Sequence, residues 1–121
     1  MLKLCIIDDE HLALQYLNFM LNKIEGVRVK GIYSSPKHLI DYAENHHIDV
    51  VFMDVQMPGI SGFDLAEQLL KIQPSLHIVF VTAYEKNAVE NFKAKALDYI
   101  LKPIQEKNLS LLINQIKEKT L

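Results

Sequence analysis

The ten residues from Val50 to Gly59 have the sequence VVFMDVQMPG. An uninterrupted apolar run ends on a single carboxylate, Asp54, and Met57-Pro58-Gly59 follows as a turn signature. Parallel strands that are covered by helices on both faces carry continuous apolar runs of this kind. The stretch therefore predicts a central parallel strand that ends at a carboxylate.

Four more apolar segments occur along the chain, and stretches of helical periodicity alternate with them. They are LKLCII before Asp8-Asp9, VRVKGIY, IVFV before Thr82, and YIL before Lys102-Pro103. VRVKGIY begins with alternating apolar and polar residues, which suits an edge strand. Repeated strand and helix predict an α/β fold with five parallel strands and right-handed crossovers.

Apolar residues at helical spacing predict five helices that pack against this sheet. Their apolar positions are Leu14, Leu17, Leu21 and Ile24; the segment KHLIDYAEN after Ser35-Pro36; Phe63, Ala66, Leu69 and Leu70; Ala88, Val89 and Phe92; and Leu109, Leu112, Ile113 and Ile116. Gly62 is expected to relieve crowding where the third helix begins.

Size and composition indicate one globular domain over residues 1–121. Half of the 121 residues are apolar and the net charge is -2, so there is no basic surface for nucleic acid and we expect no DNA binding by this domain. No apolar run approaches the roughly 20 residues of a membrane span, and the N-terminus lacks the features of a secretory signal. We therefore expect a cytoplasmic protein. Cys5 is the only cysteine and is expected to be a buried thiol.

Polar residues close four of the five strands, and parallel strands bring their carboxyl ends to one edge of the sheet. These residues are Asp8, Asp9, Asp54, Thr82 and Lys102. Taken singly, each has an ordinary explanation as a turn, a cap or a solvated side chain. Together they put three carboxylates in one place, where two carboxylates about 5 Å apart repel by about 3 kcal/mol at an effective dielectric of roughly 20. A compensating cation is expected.

The donor types favour Mg²⁺ as that cation. Mg²⁺ prefers oxygen ligands and commonly joins carboxylates to phosphate oxygens. Zinc is disfavoured because the histidines are dispersed, and each is expected at the surface. They are His11, His38, His46, His47 and His77.

A divalent cation, an ammonium and a hydroxyl at one site are suited to receive a phosphoryl group. No Ser-His or Cys-His pair is apparent in the sequence. Asp54, at the end of the central run, is the most central candidate nucleophile. We interpret Asp54 as a phosphoacceptor.

These residues resemble the receiver domain of bacterial two-component response regulators, over essentially the whole chain. The resemblance rests on DDE after the first strand, MDVQMPGISG around Asp54, TAY at Thr82 and ALDYILKP ending at Lys102-Pro103. It implies a flavodoxin-like (βα)5 sandwich with the parallel strands in the order 2-1-3-4-5.

The resemblance also implies how phosphorylation occurs. Asp54 takes a phosphoryl group from a phosphohistidine on a sensor histidine kinase, or from a small phosphodonor. Asp9, Asp54 and the backbone carbonyl of Gln56 bind Mg²⁺, and Asp8 contributes directly or through water. Gln56 and Tyr84 stand at the variable positions that tune loss of the phosphoryl group.

The same resemblance implies a conformational switch. Thr82 and Lys102 contact the phosphoryl oxygens, Tyr99 is the aromatic switch residue, and Lys102-Pro103 is a cis peptide. Tyr99 has an alternative interpretation as an aromatic residue of the core. The switch changes the surface of the fourth helix, fifth strand and fifth helix, which we expect to contact partners. A homodimer formed through this face is a further expectation.

The C-terminal half suggests what the domain controls. TAYEKNAVENFKAKALDYILKPI resembles receivers that precede a LytTR-type DNA-binding domain, so a transcription regulator is implied. That output domain is not present in this chain, and we favour an excised receiver over a stand-alone one.

Two alternative functions compete with the phosphoacceptor. The first is a metal-dependent phosphatase with Asp8 as nucleophile, although Glu10 stands where its second aspartate belongs. The second is a pseudo-receiver that binds partners without phosphate, although every chemical position is filled. Nucleotide binding is disfavoured because the chain lacks glycine-rich phosphate loops.

Overall fold

The computed structural model describes residues 1–83 and 97–120, apart from the side chains of Thr82 and Leu97. Its strands are β1 (Leu2–Ile7), β2 (Val27–Tyr33), β3 (Val50–Met53), β4 (His77–Thr82) and β5 (Leu97–Leu101). All neighbouring pairs are parallel, and the order across the sheet is β2-β1-β3-β4-β5. The flavodoxin-like strand order is therefore confirmed.

Helices cover both faces of the sheet. The described helices are α1 (His11–Leu21), α2 (Pro36–Asn45), α3 (Gly62–Ile72) and α4 (Glu106–Thr120). Leu17 of α1 and Ile113 of α4 share one buried apolar cluster, whereas Leu39 of α2 and Leu65 of α3 belong to another on the opposite face. This arrangement confirms a doubly wound sandwich, in which α4 is the fifth predicted helix. The fourth, predicted from Ala88, Val89 and Phe92, lies outside the described residues.

The burial of the strands follows their sequence patterns. All four residues of β3 are buried, as expected for the centre of the sheet, while β2 alternates between exposed and half-buried residues at its edge. Burial of a large aliphatic side chain contributes about 1.5 to 3 kcal/mol, so the long apolar runs favour the central positions. The hydrophobic pattern thus distinguished the central strand β3 from the edge strand β2.

Two strands begin earlier than their apolar runs predicted. β4 starts at His77 and β5 at Leu97. His77 Nε2 and Asp98 Oδ2 lie 2.7 Å apart, so each polar side chain is partnered and the two strands continue past their apolar residues. The prediction that His77 is a surface residue was wrong, since only 13% of its side chain is exposed.

The first helix ends before its predicted stripe does. α1 stops at Leu21, and Ile24 lies in the following turn, where its backbone N–H donates to the Leu21 carbonyl. Ile24 still packs, partly buried, against the cluster beneath α1. A helical period alone does not distinguish the last turn of a helix from a turn that continues its apolar face.

Cys5 is expected to be unreactive in the folded protein. It is fully buried in β1, and burial raises the pKa of its thiol from about 9.0 to about 12. The thiolate fraction is lower by roughly a thousandfold as a result. We expect no labelling by a disulfide reagent at pH 8 until the protein is unfolded in urea, measured by absorbance. Labelling within the mixing time in native buffer would contradict this.

Candidate functional site: an acidic cluster at the strand ends

The register of the central strands places two carboxylates side by side. Ile7 and Met53, the last residues of β1 and β3, are paired across the sheet, and Asp8 and Asp54 follow them directly. Neighbouring strands lie about 4.8 Å apart. Between β1 and β3 the chain also reverses its direction across the sheet, which is where open α/β sheets bind ligands.

Asp9 completes an acidic cluster with these two residues. Carboxylate oxygens of Asp8, Asp9 and Asp54 all lie within 4.8 Å of one another. Asp8 is buried, Asp54 is partly buried and Asp9 is exposed. The predicted convergence of the three aspartates is therefore observed.

One oxygen of each strand-end carboxylate is held by the local backbone. The N–H of Glu10 donates to Asp8 Oδ1 at 3.0 Å, and the N–H of Gln56 donates to Asp54 Oδ1 at 3.2 Å. Both are Asx-type turns, the ordinary explanation for an aspartate after a strand. Each aspartate can stabilise its own turn and still belong to the acidic cluster, because its second carboxylate oxygen remains available to a group from elsewhere in the chain.

That group is Lys102, which follows β5. Its Nζ donates to Asp54 Oδ2 at 2.9 Å and to Asp8 Oδ2 at 3.2 Å. Partial burial by itself would lower the pKa of the Lys102 ammonium, but hydrogen bonds and charge attraction from Asp54 and Asp8 raise it above its ordinary value. Lys102 therefore stays charged and joins β1, β3 and β5. The peptide bond from Lys102 to Pro103 is cis, as predicted.

Lys102 offsets only part of the negative charge. Three carboxylates and one ammonium leave a formal charge of -2 among these four side chains. Carboxylate oxygens are the ligands that hard divalent cations prefer. The donor set therefore fits Mg²⁺, and it contains none of the sulfur or imidazole ligands that favour zinc.

The start of α3 is pressed against the segment that carries Asp54. The N–H of Gly62 donates to the Val55 carbonyl at 2.6 Å. A Cβ atom on Gly62 would overlap the Asp54 carbonyl oxygen and lie 2.9 Å from the Cα of Val55. The expectation that Gly62 relieves crowding is confirmed. Ser61 caps the helix by accepting from the Asp64 N–H.

The roles of the remaining predicted site residues stay predictions. Thr82 ends β4 opposite Leu101, and its side chain lies outside the described residues, as does Tyr84. Tyr99 pairs with Phe80 in the sheet and packs, partly buried, against the cluster beneath α2 and α3. That position is compatible both with a switch residue and with a core aromatic. The side chain of Gln56 is exposed.

Sequence reasoning missed an exposed apolar strip on α1. Leu12, Tyr16 and Phe19 are 78%, 52% and 58% exposed, and they lie on one face of a helix that begins two residues after Asp9. Lys23 Nζ lies 4.3 Å from the centre of the Phe19 ring. Their spacing of four and three residues was a usable signal, but it was hidden by the buried stripe on the same helix. We call these three residues the α1 strip.

Comparison with known proteins agrees with this geometry. A sequence model of the response regulator receiver domain matches residues 4–114. The chain belongs to this family. The crystal structure of the response regulatory domain of protein MrkE from Klebsiella pneumoniae superposes on the receiver domain with a TM-score of 0.86 and 30% identity, covering 98% of this chain and 97% of that one.

Curated relatives of the receiver domain are signalling and regulatory proteins. Sensory transduction protein LytR of Staphylococcus haemolyticus is 34% identical over 118 residues, which is 98% of this chain and 46% of LytR. Transcriptional regulatory protein YpdB of Escherichia coli K12 is 29% identical over 116 residues, 96% of this chain and 48% of YpdB. The receiver domain thus spans about half the length of these relatives. Among its described helices, none is both long and apolar enough to cross a bilayer.

Proposed function

We propose that this receiver domain accepts a phosphoryl group on Asp54, from a phosphohistidine of a sensor histidine kinase or from a small donor such as acetyl phosphate. The observation that supports this most strongly is the contact between Lys102 and one oxygen of Asp54, inside a cluster that also contains Asp8 and Asp9. The carboxylate is thus partly exposed, oriented by two hydrogen bonds and next to a fixed positive charge.

The transfer is an in-line displacement at phosphorus. A carboxylate oxygen of Asp54 forms a bond to phosphorus while the bond from phosphorus to the donor nitrogen or oxygen breaks. The electron pair leaves with the imidazole, which takes up a proton, or with acetate. Lys102 offsets charge on the phosphoryl oxygens, and the Thr82 hydroxyl donates to one of them. Water later hydrolyses the acyl phosphate to restore the Asp54 carboxylate and release phosphate.

We further propose that Asp8, Asp9 and Asp54, with the backbone carbonyl of Gln56, hold Mg²⁺ in this site. Their carboxylates carry more negative charge than Lys102 neutralises. Bound Mg²⁺ would supply the positive charge that lets these carboxylates and an incoming phosphoryl group share one site.

The signal then passes through Thr82 and Tyr99. Phosphorylation adds roughly -1.5 to -2 charge, which attracts the Thr82 hydroxyl and lets the Tyr99 ring move. A shift from mostly inactive to mostly active requires about 5.5 kcal/mol of differential stabilisation, and a few charge-assisted hydrogen bonds of about 1.5 to 3 kcal/mol each suffice. The responding surface includes β5 and α4 and would form the partner or dimer face. Unchanged amide spectra from Thr82 to Tyr99 on phosphorylation would contradict this.

The output domain would belong to a longer protein that contains this receiver. The relatives are about twice the length of this domain, and one of them is a transcriptional regulatory protein. We infer that the full-length protein joins this receiver to an output domain that binds DNA, and that phosphorylation of Asp54 controls it.

One experiment tests the phosphoacceptor directly. The protein is incubated with acetyl phosphate and Mg²⁺, with and without excess EDTA, and its intact mass is measured. We expect a gain of one phosphoryl group that EDTA prevents. An unchanged mass would favour the pseudo-receiver, and sustained release of phosphate from unrelated phosphomonoesters would favour the phosphatase.

We propose that the histidine kinase docks on the α1 strip. A protein donor must bring its phosphohistidine to Asp54, and the strip is an exposed apolar surface on the helix that begins beside the cluster. Acetyl phosphate needs no docking surface. Leu12→Ser and Phe19→Ser are therefore expected to slow transfer from a kinase about tenfold or more and to leave the acetyl phosphate rate within about twofold, since apolar anchors contribute 1 to 3 kcal/mol each.

The kinase for this measurement is chosen from a panel of purified, phosphorylated sensor kinases of the same organism, as the one that transfers its phosphoryl group to this receiver domain fastest. Glu67→Ser, on the exposed side of α3, is the control and should slow neither reaction. Equal slowing with both donors would show that the α1 strip supports the fold and not the docking.

A further inference from the structure

A small cavity lies next to the acidic cluster, on the face of the sheet that α1 and α4 cover. It has a volume of about 150 Å³. Its apolar walls come from β1, α1, β3, β4 and the segment after β5, and they include Leu14 and Leu17 of α1, Phe52 of β3 and Val81 of β4. Apolar cavities of this size admit a single aromatic ring.

One end of the cavity is charged. Asp8, Asp54 and Lys102 line it together with the apolar residues, and these three sit at the carboxyl ends of the strands. With Asp9 adjacent, three carboxylates and one ammonium give this end a net negative charge. The field therefore attracts cations and repels anions.

The geometry points to a ligand site for a primary amine that carries one aromatic ring on a short spacer. The ring would occupy the apolar cavity, and the ammonium would hydrogen-bond to carboxylate oxygens at the charged end. Size selects a single ring, because most of the apolar wall residues are buried in the close-packed core. Charge selects an ammonium over a carboxylate or a neutral head. Binding at this site does not depend on phosphoryl transfer.

The test is a titration of the isotope-labelled protein with benzylammonium, without metal ions, followed by amide and methyl spectra. We expect saturable shifts centred on Ala13, Leu17 and Ile104, with a dissociation constant on the order of 1 mM for so small a ligand. Ethylammonium has the charge without the ring, and benzoate has the ring with the opposite charge. Each is expected to bind about tenfold more weakly or worse.

Variants of α1 decide whether the cavity itself is the site. Ala13 lines it and Gln15, on the same helix, is exposed and does not. Ala13→Leu fills the space and is expected to weaken benzylammonium binding at least tenfold, whereas Gln15→Leu adds a leucine on the outside of the helix and should leave binding unchanged. Each variant's own spectrum checks that it is folded.

Three results would overturn the site. The first is no saturation by about 10 mM benzylammonium. The second is an equal response to ethylammonium or benzoate, since the ring or the charge would then be irrelevant. The third is equal affinity of folded Ala13→Leu and the parent protein, because the ring would then lie elsewhere.

Discussion

Asp54→Asn is expected to abolish the Mg²⁺-dependent gain of a phosphoryl group from acetyl phosphate, without unfolding the protein. An amide is not a nucleophile at neutral pH, so no acyl phosphate can form at this position. The amide oxygen can still accept the Gln56 N–H, which keeps the turn after β3 in place. Intact mass measures the loss, and peptide mapping of the parent protein should find the phosphoryl group on Asp54.

The free energy of unfolding of Asp54→Asn shows whether a loss of phosphorylation comes from the missing carboxylate or from unfolding. Loss of the Asp54 charge removes one attraction, to Lys102, and two repulsions, from Asp8 and Asp9. The net relief of repulsion is opposed by the loss of the charge-assisted hydrogen bond from Lys102, so we expect the free energy of unfolding to change by no more than about 1 kcal/mol in either direction. Asp41→Asn changes an exposed aspartate on α2 and serves as the matched control, with full phosphorylation. Phosphorylation that survives in Asp54→Asn would assign the acceptor to another residue.

Gly62→Ala is expected to destabilise the protein by about 3 kcal/mol and to slow phosphorylation of Asp54 severely. The added Cβ would meet the backbone of Asp54 and Val55, which cannot move aside as a flexible side chain can. Either α3 retreats and loses its contact with the Val55 carbonyl, or Asp54 is displaced from Lys102. Thermal melting should show a fall of roughly 10 °C for a domain of this size, and the rate with acetyl phosphate measures the displacement.

Gly59→Ala is the control for Gly62→Ala, because it adds the same methyl group where there is space. Among the residues that the structure describes, none lies within 4 Å of its Cβ position, but its φ of 84° is unfavourable for alanine. We expect a loss of about 1 to 2 kcal/mol from backbone strain alone. If Gly62→Ala melted no lower than Gly59→Ala, the close contact with the Asp54 backbone would not be what requires a glycine at position 62.

Much of the fold could be predicted from local patterns. The apolar run Val50–Met53 and the apolar stripe of α4 each consist of residues that are close in sequence. The spacing of such residues predicts which face of a strand or helix is buried. Where a polar residue interrupts such a pattern, its hydrogen-bonding partner decides whether the strand continues through it. Asp98 seemed to precede β5, but His77 from the neighbouring strand allows both to lie within the sheet.

In the candidate site, too, the sequence predicted which residues take part, and contacts between distant segments decided their geometry. The sequence alone named Asp8, Asp9, Asp54 and Lys102 as residues that should meet, because parallel strands share one carboxyl edge, and the structure brings all four together. The sequence could not give the distances between these side chains. Lys102 and Asp8 are separated by 94 positions and meet only through the register of the sheet.

By itself, then, the sequence determined the fold class, the order of elements and the types of side chain at the strand ends. These follow from local periodicity and from the topology of parallel sheets. Only the tertiary structure decided that one ammonium would bridge two carboxylates, that the backbone of Asp54 is what crowds Gly62, and which apolar residues of α1 stay exposed. Those features depend on how distant segments pack against each other, and packing distances are not encoded in any single segment.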